Sequence, residues 1–96
     1  MSEQQDLANR IYALACAISV CPNTERFIDV IYDGSANQLR ITEISRKGSK
    51  RLVKTVDLHE PGESEIAARR INRQLLEVVM HLESLHSKLR QRSLFK

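Results

Sequence analysis

FIDVIYDGSANQLRITEISRKGSKRLVKTVDL, residues 27–58, contains three runs rich in β-branched and aromatic residues, parted by two glycine-containing connections. FIDVIY (27–32), the run at 39–45 and RLVKTVDL (51–58) each have strand length, and DGSANQ and RKGSK supply turn residues between them. Short strands joined this way predict a three-stranded antiparallel β-meander. Alternation puts Ile28, Val30 and Tyr32 on one face, Leu39 and Ile41 on another, and Leu52, Val56 and Leu58 on a third, ready to combine. Lys54 interrupts the last set, and Phe27 and Ile31 oppose the first.

Working outward, residues 3–20 read as a helix. Leu7, Ile11, Leu14 and Ile18 recur at helical spacing, and Ser2 with Gln5 forms a capping-box pattern. Alanines at 8, 13, 15 and 17 keep the helix thin, so another element can approach it closely. Pro22 ends it. On the other side, Pro61 and Gly62 turn the chain into a helix over 63–91, with Glu63 and Glu65 placed where the macrodipole favours acids. The expected fold is α+β, in the order α-β-β-β-α, as a single domain over residues 1–96.

The long helix carries Ile71, Leu75, Val78, Leu82, Leu85 and Leu89 at alternating steps of four and three, a seam for packing lengthwise on another element. That seam can cover the sheet and the first helix. Yet LLEVVMHL (75–82) is apolar on more than one side, with Leu76 and Met80 nearly opposite the seam and Val79 between. A helix apolar on two sides needs cover on both. Leu76, Val79 and Met80 are therefore the expected core of a protein interface, and Phe95 in the tail SLFK is a candidate anchor. A twofold pair of copies would cover both patches at once, so a homo-oligomer, in the simplest case a dimer, is expected.

Charge is uneven: the net +3 of the chain is the sum of −3 over residues 1–45 and +3 over each of 46–60 and 61–96. Arg46, Lys47, Lys50, Arg51 and Lys54 crowd the second connection and are the candidate contacts for nucleic acid or an acidic partner. Lys88, Arg90 and Arg92 lie in the last turns of the helix, where they offset its dipole. None of the four aromatic residues interleaves with the basic run, so no base-stacking platform is visible along the chain.

Little here suggests a reaction. His81 and His86 are five apart and do not share a helix face, which rules out helical zinc spacing. His59 and Glu60 have no nucleophile beside them, and the three glycines stand alone in turns. Cys16 and Cys21 read as reduced thiols, Cys16 packed and Cys21 near a turn. No cofactor, metal or catalytic residue is expected, and no membrane span or leader pattern is seen, so cytoplasmic residence is the default. The leading expectation is a small non-catalytic protein-interaction module, a regulator, inhibitor or accessory subunit. The alternative is a basic nucleic-acid-binding protein that uses the 46–54 hairpin.

Overall fold

The computed structural model describes residues 3–21, 24–58 and 64–94, with side chains as far as residue 91. Its elements are α1 (Glu3–Ser19), β1 (Arg26–Asp33), β2 (Gln38–Ser45), β3 (Lys50–Asp57) and α2 (Glu65–Leu94). The order is α-β-β-β-α, and the sheet is antiparallel with β2 in the centre. The capping box at Ser2, the prolines at 22 and 61 and Phe95 lie outside the described residues.

The two connections use the chemistry their sequences offer. In the first, the Asp33 carboxylate accepts from Ser35 N–H at 3.1 Å, the Ser35 hydroxyl at 2.7 Å and Ala36 N–H at 3.4 Å. Asn37 then takes a positive φ of 50°, a conformation its short polar side chain tolerates. Its side chain accepts from the Tyr32 hydroxyl at 2.9 Å and donates to Leu58 O at 3.3 Å, tying the turn to the end of β3. In the second, Gly48 sits at φ 91° and its N–H donates to Ser45 O at 2.9 Å.

Both helices lie on one face of the sheet, and they run parallel to each other. Asn72 of α2 donates to Glu3 at 3.3 Å, and Glu83 pairs with Arg10 at 3.7 Å. Further along, Ile18 meets the groove that Leu85 and Leu89 line. At about 1.5 Å per residue, the 30 residues of α2 extend roughly 45 Å, against about 27 Å for strands of eight. The molecule is accordingly elongated, 51 × 25 × 17 Å, with a radius of gyration of 14.5 Å. A compact chain of this length would have about 12.5 Å.

The expected seam is the spine of the core. Ile71, Leu75, Val78, Leu82 and Leu89 are buried and Leu85 is partly so, against Ile11, Leu14 and Ile18 of α1. Ile28, Leu39, Ile41 and Val56 close the core from the sheet. Two expectations are corrected. Leu52 does not share a face with Val56: Ile41 pairs with Lys54 while Thr42 pairs with Leu52, so Val53 is an extra residue in a β-bulge. The bulge turns Leu52 to the outer face, where it is 58% exposed. Cys16 is exposed, on the side of α1 away from the core, and it is Cys21 that packs against the cluster.

Leu82→Ala removes a fully buried side chain and should cost about 2–5 kcal/mol, whereas Leu52→Ala should cost no more than about 1 kcal/mol. Urea unfolding of the two variants measures the difference. Hydrogen bonds from the Ser35 hydroxyl and the Ala36 N–H hold the Asp33 carboxyl below its ordinary 3.8. Its contribution to stability is therefore complete above that value and lost as pH falls through the lower, folded-state one. Asp33→Asn should remove this acid-side loss, read as a flatter urea midpoint between about pH 5 and about pH 2.5.

Candidate interaction surfaces

The hairpin that joins β2 to β3 divides its cations between structure and solvent. Arg46 donates from Nε to Thr24 O at 2.8 Å and from its backbone N–H to Glu25 O at 3.2 Å, pinning the hairpin to the start of β1. Lys54 pairs with Glu77 of α2 at 3.5 Å. Lys47, Lys50 and Arg51 are exposed, with no ion pair among the described residues. Three of the five candidate cations are thus available to a partner, and two have structural partners.

Glu43 is the buried charge of the inner sheet face, its side chain 7% exposed at the middle of the sheet. His81 Nε2 lies 3.0 Å from Oε1 and Arg26 3.5 Å from Oε2, so one carboxylate bridges α2 and β1. Its two partners stay half in water. Together with Lys54–Glu77, this contact attaches α2 to the strands through polar side chains. His81 is thereby engaged in the architecture. His86 is half-buried on another side of the helix, and His59 and Glu60 lie outside the described residues. No group of three or more potential ligands suits a metal ion among the described residues. The same residues include no helix long and apolar enough to cross a membrane.

The structure divides the three expected interface residues of α2. Val79 is a correction: it is 4% exposed and belongs to the core of the single chain, because it turns toward α1 at the edge of the buried seam. Leu76 and Met80 are 47% and 63% exposed. They belong to a second line of residues, Arg69, Arg73, Leu76, Met80, Glu83 and Ser87, again spaced four and three and exposed throughout. That line lies roughly 160° around the helix from the buried one.

A further surface went unmarked in the sequence. On the outer face of the sheet, cross-strand neighbours form the rows Phe27–Ile44–Lys50 and Asp29–Thr42–Leu52. The next is Ile31–Arg40–Thr55. Phe27, Ile31 and Leu52 are 38%, 50% and 58% exposed, and no helix covers this side. The signal was present as Phe27 and Ile31 opposing the inward set, but the bulge that adds Leu52 has no sequence mark. Comparison with protein-family models, with curated proteins and with solved structures finds no match for this chain.

The Glu43 cluster has an asymmetry that can be measured. Glu43→Met removes the only buried charge among the described residues and leaves two solvated partners, so stability should change by less than about 1.5 kcal/mol. The double change Arg26→Ala and His81→Ala strands the carboxylate inside and should cost about 3–5 kcal/mol. Urea unfolding at neutral pH compares them.

Proposed function

We propose that the chain is a non-catalytic protein-interaction module whose exposed α2 side pairs with a second copy of itself, as befits a small regulator or accessory subunit. The observation that carries this reading is the order of residues along the exposed line. Turned antiparallel about a twofold axis level with position 78, Leu76 of one copy meets Met80 of the other, and Met80 meets Leu76. On either side Arg73 then faces Glu83, which also pairs with Arg10 of its own copy, and Arg69 faces Ser87. A line with both cations at one end and its acid at the other is complementary to its own reverse.

The expected strength is modest. Each copy contributes two apolar side chains, and the flanking ion pairs are exposed and worth about 0.2–1 kcal/mol each. Such a contact forms reversibly and depends on concentration. Alternatively, another protein with an apolar helix flanked by the same charges could take the second copy's place.

Sedimentation of the native chain between about 10 µM and about 500 µM should show a concentration-dependent dimer of modest affinity. Leu76→Glu with Met80→Glu should give a monomer throughout that range. Arg73→Glu alone should weaken the dimer, and Arg73→Glu with Glu83→Arg should restore it, because the pair is exchanged across the axis. A native chain that stays monomeric, or a charge swap that fails to restore pairing, would overturn the reading.

A further inference from the structure

The fold gathers at one end charges that are far apart in the chain. Arg46 ties the hairpin to Thr24 and Glu25. The last turns of α2 reach the same place, where Leu85, Lys88 and Leu89 line a groove with Ile18, Thr24, Glu25 and Arg26. Lys88 and Arg90 are exposed in these turns, although helix-end electrostatics alone accounts for them in the sequence. Glu25 and Glu43 are the acids at this end, and Glu43 is already paired. At the other end stand Glu3, Asp6 and Glu65 in the first helical turns, with Asp33 and Asp57 at the strand ends.

An apolar platform borders this basic end. Phe27 shares its cross-strand row with Ile44 and Lys50, and Leu52 lies in the next row. The ring and Lys50 are distant in sequence, but the antiparallel register places them on one exposed face beside the hairpin tip that carries Lys47. Ile44 flanks the ring across the strand, an arrangement suited to receiving a flat, weakly polar partner on its exposed side.

We propose that this end of the molecule binds single-stranded nucleic acid, with a base stacked on Phe27 and the adjoining phosphates met by Lys47 and Lys50, while Arg51 on the opposite face of the sheet adds only to the field. Lys88, Arg90 and Arg26 add to the field that draws the strand in. The pairing of ring and cations favours a single strand over the other polyanions. A duplex keeps its base faces stacked internally and has no use for Phe27, and an acidic polypeptide meets the cations alone. Asp29 and Asp33, further along the outer face, repel phosphate. The strand's path therefore runs across the tip and not down the sheet, and the site is a few nucleotides long. This surface is separate from the exposed line of α2, so the two can be tested independently.

Fluorescence anisotropy of a labelled thymidine oligonucleotide of about 15 nucleotides in ~50 mM salt tests it, with a duplex of equal length and polyglutamate as competitors. The single strand should bind, and binding should resist both competitors better than an unlabelled single strand. Phe27→Ala should weaken it roughly tenfold with circular dichroism unchanged. Changing Lys47 and Lys50 to Ser should reduce the slope of log affinity against log salt by about 1.4. The inference fails if the native chain binds no oligonucleotide. It also fails if duplex and polyglutamate compete equally and Phe27→Ala has no effect, which is charge attraction only. A third failure is Phe27→Ala altering sedimentation of the Leu76→Glu, Met80→Glu variant, which marks the outer face as a contact between copies.

Discussion

A three-stranded sheet has two faces, and this chain supplies helices for only one of them. The inner face, α1 and the buried seam of α2 meet in one cluster around Ile11, Leu39, Ile41, Leu75 and Leu82. Everything else follows from that contact. Because the seam commits α2 to α1 and the sheet, its other exposed line has to find cover outside the chain or remain in water. Because both helices are spent on the inner side, Phe27, Ile31 and Leu52 stay bare. Ninety-six residues are few for a core of two layers, and the remaining apolar surface is what such economy leaves behind.

The architecture was legible because its signals are periodic. The three strand runs with their turn residues and the four-three spacing of α2 led to α-β-β-β-α, although alternation within the strands was imperfect. Individual faces were less legible. Val79 was expected outside and is inside, because α1 lies to that side of the seam, and helical spacing alone does not say which flank a neighbour will take. Cys16 was expected to be packed and is exposed for a related reason: the core side of α1 is narrow, and Cys16 falls behind it. The bulge at Val53 could not be read at all. It contains no glycine or proline, and only the pairing of β2 with β3 reveals it.

The parts of the basic end are distant in sequence. Each part had a sufficient local explanation: the hairpin lysines as a solvated turn, Lys88 and Arg90 as partners of a helix terminus, Phe27 as one irregular strand position. Topology adds these parts together. α1 and α2 run parallel, so both positive helix ends lie at the acidic pole and both negative ends at the basic one. The segregated side chains therefore oppose the partial charges of the helix ends. Parallel neighbouring helices, whose aligned dipoles repel, are made compatible by this arrangement.

The extra residue at Val53 has an effect out of proportion to its size. Strand side chains alternate, so one inserted position reverses which way the chain before it faces. Residues 50–52 therefore owe their orientation to chain length as well as to their chemistry. Loss of that single residue would turn Leu52 inward and Arg51 outward, exchanging the apolar and cationic members of two surfaces without substituting either one. For a lineage in which such a sheet varies, an insertion or deletion in β3 is a step that point mutation cannot imitate. It recomposes the outer face while the helices and the core cluster remain in place.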